Sequence, residues 1–271
     1  MPVFNKISLG RYYPAHSFLH ETDPRVKIIL YAVYLVAIFI IKEPVSIAVL
    51  AAVILLQLIM AKITPGILWS TVKPMLPLAL FIFFINVLTI KQGDVLFSWK
   101  IITITGYGIG RAAIMSVRLV FLIISTSVLL TLTTTPLKMS DALEKLFAPL
   151  AIIKVPVHEM AMMMSIALRF IPTLAAETDK IMKAQQSRGA DYDTGGFVSK
   201  TRGYLTVLIP LFVSSFRRAD ELAVAMDARC YKGGKGRTKL NPLKLTARDV
   251  LTGIMFTLLA ALVVAIDFSL R

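Results

Sequence analysis

Apolar residues gather along this chain in runs long enough to be whole helices, separated by short polar joints. The first four runs are Ile28 to Ile41, Val45 to Met60, Met75 to Ile90 and Ile109 to Leu132; a fifth, Val250 to Phe268, stands apart near the C-terminus. A membrane-spanning helix needs about 20 such residues, with a range of about 17 to 25. The first run is short on that scale and works as a span with Arg25, Lys27 and Lys42 snorkelling at its ends. Lys42, Glu43 and Pro44 break what would otherwise be one overlong helix, because proline disfavours the helical conformation of the residue before it. Tyr204 to Phe216 is apolar enough to dip into a bilayer and too short to cross it.

Between Thr133 and Asp249 the rhythm becomes amphipathic. Met139, Ala142, Leu143, Leu146, Phe147 and Leu150 recur at steps of three and four after Thr133 to Thr135 and Pro136, which predicts a helix with one apolar face. Met160, Met163, Met164, Ala167, Phe170 and Ile171 repeat the rhythm. Methionine adapts to irregular partner surfaces, although a methionine stripe is more often ordinary packing. Two more helical stretches follow, Thr173 to Ser187 and about Pro210 to Ala228. The pattern as a whole predicts an all-α integral membrane protein with about five transmembrane helices plus a large cytoplasmic helical region. Its divisions are residues 1–132 with four spans, 133–249 with the amphipathic helices, and 250–271 with the last span.

Composition excludes an ordinary soluble domain: 56% of the 271 residues are hydrophobic and only 17% charged, and mean hydropathy is +0.74. Net charge is +14, which in a membrane protein is expected on the cytoplasmic side. With the N-terminus inside, the inner segments hold Lys6, Arg11, Arg25, Lys27, Lys62, Lys73 and the whole of 133–249. The outer ones hold Lys42, Lys91, Lys100 and Arg271, so the C-terminus is placed outside. The 18 Lys and Arg of 133–249 are interspersed with 11 Asp and Glu, which argues against a dedicated nucleic-acid face. One cysteine, Cys230, allows no disulfide framework. Met1 to Asp23 has no signal-peptide apolar core, so the first span serves as its own insertion signal.

Arg111 and Arg118 lie within the fourth run, where a charge at a helix centre costs about 2.5 to 3.5 kcal/mol on insertion scales. Arg111 is placed near the outer interface and Arg118 facing the bundle. No acidic residue of another span is read as a partner, so no proton or ion relay is expected. Gly106, Gly108 and Gly110 imitate half a dinucleotide fingerprint without its βαβ setting and read as a flexible entry to the fourth span. Gly233 to Thr238 lacks the spacing of a phosphate loop and reads as a basic hinge. His16 and His20 are four apart, but Pro14 and Pro24 flank them and no metal site is assigned. His158-Glu159 lacks the second histidine of a zinc protease helix. Asp191 and Asp193, a close carboxylate pair in a Gly-rich turn after Arg188, are the foothold for a membrane transferase acting on lipid-linked substrates through Mg²⁺. A basic scaffold for anionic lipid is a third reading.

Two helical stretches end alike. Ala184-Gln185-Gln186-Ser187-Arg188-Gly189 and Ala225-Met226-Asp227-Ala228-Arg229-Cys230 share the pattern alanine, two variable residues, small, arginine, small. A cation in the last turn complements the helix dipole and a glycine ends it. A second near-copy points further, to two docking tips that each offer a guanidinium fork to a carboxylate or to carbonyls. On these motifs, on His20-Glu21-Thr22-Asp23-Pro24-Arg25 before the first span, and on Leu168-Arg169-Phe170-Ile171-Pro172, the chain resembles the transmembrane coupling subunits, EcfT or CbiQ type, of energy-coupling factor importers, a branch of the ABC transporters. The resemblance runs in order over nearly the whole chain; Cys230 stands where the family has a glycine-like residue. It implies a chain without chemistry or cofactor of its own. Two ABC-type ATPase subunits, EcfA and EcfA′ type, would hold ATP and Mg and dock on the tips Ser187, Arg188, Gly189 and Ala228, Arg229, Cys230. A small membrane substrate-binding subunit for a vitamin or other micronutrient would then rest on the faces of Met139, Leu143, Leu146, Phe147 and of Met160, Met163, Met164, Ala167.

Overall fold

The computed structural model describes residues 12–13, 15, 17–99, 102–190, 196–234 and 242–270. Among these the helices are α1 (Phe18–Glu21), α2 (Pro24–Ile40), α3 (Pro44–Ala61), α4 (Pro65–Val72), α5 (Leu76–Thr89), α6 (Gly106–Thr126), α7 (Pro136–Phe147), α8 (Val157–Ser187), α9 (Phe197–Ala228) and α10 (Ala247–Leu270). A short antiparallel ribbon, β1 (Val95–Trp99) with β2 (Ile102–Thr105), joins α5 to α6. The chain divides into two compact units, one of residues 10–142 with 243–271 and one containing residues 143–242.

Five helices among the described residues are long and apolar enough to cross a membrane: Pro44–Ala61, Pro65–Thr89, Gly106–Leu132, Val157–Ser187 and Ala247–Leu270. The set differs from the five sequence runs at one member. The first run folds as α2, 17 residues, which rises about 26 Å against a hydrocarbon thickness of about 30 Å. In its place stands α8, 31 residues long, whose hydropathy is the lowest of the five, which fits an amphipathic helix as well as a span. The sequence reading split α8 at Pro172, yet the helix continues through that proline at the loss of one backbone hydrogen bond. The same holds for Pro210 within α9.

In the first unit, Leu30, Tyr34, Ala37 and Ile38 of α2 form a stripe at helical spacing. They pack on Leu50, Val53 and Ile54 of α3, on Val128 and Leu129 in the π-helical turn that ends α6, and on Phe256, Ala260 and Val263 of α10. The opposite faces are equally apolar, with Ile29, Val36, Phe39, Leu55 and Ile59 exposed. Helices apolar all round suit a lipid surround, in which the inner face is chosen by fit rather than by polarity.

Polar groups fasten the helix ends. Asp249 in the first turn of α10 accepts from the backbone N–H of Thr246 at 2.8 Å, half of a capping box. Its other oxygen accepts from the N–H of Asp23 at 2.9 Å. Asp23 in turn caps α2 by accepting from the Arg25 N–H at 2.9 Å, with Pro24 in the first-turn position that costs a helix nothing. The Arg25 guanidinium pairs with Asp23 at 2.8 Å and also donates to the Leu243 carbonyl. His20 is buried; Nε2–H donates to the Tyr13 carbonyl at 2.9 Å, which leaves Nδ1 to accept from the Ser17 hydroxyl at 2.6 Å. Both ring nitrogens are thereby engaged in hydrogen bonds. Asp23 and Arg25 of the signature thus staple the start of α2 to that of α10, while His20 ties the segment before α2 together.

Lys27 does not snorkel. It is 1% exposed, and its ammonium donates to the Thr133 carbonyl at 3.0 Å and the Thr134 hydroxyl at 3.3 Å beyond the π turn. Arg118 also has company that the sequence reading missed: it donates to the Ile41 carbonyl, and Asp267 of α10 lies close enough to act on it electrostatically. Asp267 is fully buried and accepts from the N–H groups of both Lys42 and Glu43, each at 2.9 Å, at the start of α3. Arg111 lies over the Tyr107 ring. Gly108 marks a tight joint rather than a flexible one: a Cβ there would stand 2.7 Å from the Ile90 carbonyl and from the Thr105 hydroxyl. His16, Asp191, Asp193 and Lys235 to Thr238 lie outside the described residues.

Replacing Asp267 by leucine strands two backbone donors, each worth about 1–3 kcal/mol when buried and unmatched. Asp267→Leu is expected to lower the melting temperature of the purified chain in mild detergent well below that of Asp267→Asn, which keeps an acceptor.

Candidate functional site

Within the second unit α8 and α9 form an antiparallel pair. One groove between them is lined by Met162, Ser165, Ile166 and Arg169 of α8 with Leu222, Met226 and Arg229 of α9. Another is lined by Thr178 and Met182 with Tyr204, Leu205, Val207 and Leu208. As numbers rise along α8 the facing numbers fall along α9, which fixes the direction. Midway, Glu177 of α8 accepts from the Ser214 hydroxyl and from the Arg218 guanidinium of α9. This clamp escaped the sequence reading, because Glu177 looks no different in sequence from Glu159 and Asp179 of the same helix.

The two arginine tips close by the same backbone device. Arg188 is the C-cap of α8; the N–H of Gly189 donates to the Gln186 carbonyl at 3.0 Å and that of Ala190 to Gln185 at 2.9 Å. Arg229 is the C-cap of α9; the N–H of Cys230 donates to Asp227 at 2.8 Å and that of Tyr231 to Met226 at 3.1 Å. Both are Schellman ends, which require a left-handed residue after the cap. Gly189 supplies it with φ +86°, and Cys230 supplies it with φ +55° despite its side chain. The second tip therefore turns as the first does, at a cost of about 1–2 kcal/mol for an L-residue in that region.

Ser187, Arg188, Gly189, Ala228, Arg229 and Cys230 are all exposed. Because the pair is antiparallel, the tips stand at opposite ends of it, roughly 30–40 Å apart along helices that rise about 1.5 Å per residue. Each guanidinium sits where the helix dipole is negative and cations are favoured. Such an arrangement can grip two separate surfaces, one per end.

The other sequence-selected residues lie on faces not used by the pair. Met160, Met163, Met164 and Ala167 are exposed on α8, away from the groove-lining Met162, Ser165 and Ile166. Among the described residues, the stripe is therefore largely exposed rather than packed within the chain. Leu143 and Phe147 of α7 are exposed, and Met139 and Leu146 are half-buried. Among the described residues, no three or more His, Cys, Asp or Glu side chains gather as a metal site.

The family described as cobalt transport protein, CbiQ, matches residues 15–240, which takes in the His20–Arg25 signature and both tips. The chain belongs to the CbiQ family. It is 48% identical over 264 residues to the energy-coupling factor transporter transmembrane protein EcfT of Acidaminococcus fermentans, covering 96% of this chain and 98% of that one. It is 49% identical over 253 residues to EcfT of Ruminiclostridium cellulolyticum, covering 93% and 94%. EcfT of Brevibacillus brevis is 42% identical over 261 residues, covering 96% and 98%. This membership and the long apolar helices make the chain a multi-pass membrane protein, and leave the transferase reading without support.

If left-handed strain is borne at Cys230, Cys230→Gly should slow amide exchange at positions 230 and 231 by a factor corresponding to about 1 kcal/mol. Cys230→Val, β-branched in the same conformation, should speed it; equal rates in all three proteins would refute the strain.

Proposed function

We propose that this chain is the transmembrane coupling subunit of an energy-coupling factor importer. It binds no nucleotide itself and transmits the ATP-driven motion of two ABC-type ATPase subunits to a separate, small membrane subunit that captures a vitamin or other micronutrient. The observation that carries this reading is the pair of matching arginine tips at opposite ends of one antiparallel helix pair, a spacing that suits one tip to each of two ATPases. Family membership supports it independently.

The mechanism is mechanical. Each ATPase receives one tip, with Arg188 or Arg229 making forked, charge-assisted hydrogen bonds to carboxylates or carbonyls. Closure of the ATPases on ATP and Mg draws the tips together and turns α8 against α9 about the Glu177–Ser214–Arg218 clamp. The exposed faces of Met139, Leu143, Leu146 and Phe147 and of Met160, Met163, Met164 and Ala167 carry that motion to the substrate-binding subunit, and methionine-rich surfaces tolerate the sliding. Residues 1–132 and 250–271 hold the assembly in the cell membrane, and 133–249 face the cytoplasm. The N-terminus is inside and the C-terminus outside, following the positive-inside bias.

The test is co-purification of the tagged chain from its own membranes in mild detergent. Arg188→Glu and Arg229→Glu are each expected to weaken ATPase recovery roughly tenfold or more, about 1.4 kcal/mol per decade, and the double variant to abolish it while the chain still inserts. Recovery of ABC-type ATPases with neither native nor variant chain would overturn the reading.

A further inference from the structure

The two tips are alike in backbone, and the α9 tip leads on to a close contact. Beyond the α9 tip the chain runs on through Tyr231, which lines the groove shared by Arg229, Arg169 and Ser165. It then brings Gly234 onto the His158 ring, where a Cβ at 234 would stand 2.2 Å from the ring Cδ2 and 2.7 Å from Cγ. Only a glycine permits that approach. His158, in the first turn of α8, is itself held: Nδ1 lies 2.8 Å from a Glu144 carboxylate oxygen of α7, and Glu144 is largely shielded from solvent. Since the carboxylate only accepts, the ring donates through Nδ1–H.

We propose that Glu144, His158 and Gly234 form a transmission joint that couples displacement of the Arg229 tip to α7. The inference rests on the coupling reading above. Its physical basis is contact stiffness. A backbone pressed against an imidazole cannot advance without moving the ring, and the ring cannot turn without breaking or dragging a charge-assisted hydrogen bond. The force arrives on α7, the helix inside which the chain passes from one compact unit to the other, between Ala142 and Leu143. His158 and Glu144 are positioning residues here and touch no nucleotide.

The joint is tested in the complex purified from its own membranes, using Ala148→Cys, an exposed site at the end of α7, as reporter. Its maleimide labelling rate is read peptide by peptide by mass spectrometry, with and without ATP and orthovanadate. The rate is expected to change with nucleotide when His158 is native. The change should be lost in His158→Leu and in Gly234→Ala, although the ATPases co-purify as before, and should return in His158→Gln, whose amide can still donate to Glu144. Persistence of the change in His158→Leu, or its absence with native His158, overturns the joint. Loss of the ATPases from His158→Leu also counts against it, since the joint transmits rather than docks. Failure of the underlying reading looks different: no ATPase accompanies the native chain at all.

Discussion

The last helix carries a buried carboxylate near each end, and each accepts hydrogen bonds from backbone N–H groups more than two hundred residues earlier. Asp249 holds the start of α2 and Asp267 the start of α3. Helix starts leave N–H groups without partners, and in a membrane there is little water to take them. A carboxylate from elsewhere satisfies them and, being charged, favours the positive end of the dipole. Ring closure of the chain is thus set by a few directional bonds. Apolar packing alone does not choose among faces that are all greasy. Lys27 and Arg118 complete the scheme from the opposite side, each spending its donors on carbonyls where helices end.

The second unit obeys another logic. Its two long helices share one face each, pinned by Glu177, and leave much apolar surface exposed, Met160, Met163, Met164, Leu208, Ile209 and Phe212 included. Among the described residues neither tip gathers three or more His, Cys, Asp or Glu side chains. What the tips share is a conformation: an arginine at the C-cap, held in place because the next residue is left-handed and the one after is tied back into the helix. That geometry fixes the root of the side chain while leaving its fork exposed, which suits a contact made to another protein. Cys230 accepts strain to keep it, so the turn matters more at this place than the side chain that makes it.

Much of this was legible in the residues. Apolar runs marked α3, α5, α6 and α10, and the repeated Ala-x-x-small-Arg-small pattern marked both tips. The rest stayed hidden for physical reasons. Pro172 and Pro210 read as ends, yet a long helix pays for one missing bond with the packing of its other turns. Lys27 read as a snorkelling end residue, because nothing local shows that Thr133 and Thr134 return to meet it. Asp267 sat in plain view in the last span, but its partners at Lys42 and Glu43 are backbone groups, which carry no sequence signal. Gly108 read as looseness when the want of a side chain meant close approach.

α8 divides its methionines between two faces: Met162 and Met182 line the grooves toward α9, and others do not. Its groove toward α9 holds Ser165, Ile166 and Arg169 with Met162, while Met160, Met163 and Met164 point away. An exposed methionine row costs a lone soluble helix dearly, at about 25 cal/mol per Å² of apolar surface left in water. It costs nothing against lipid or an apolar partner, and a flexible thioether keeps contact while that partner shifts. The Glu177 clamp therefore pins the crossing of α8 on α9 between apolar grooves, and a further soft apolar row is left on the outside. A part that must turn on one neighbour and slide on another needs that division: directional bonds where the axis is, and undirected ones where the motion goes.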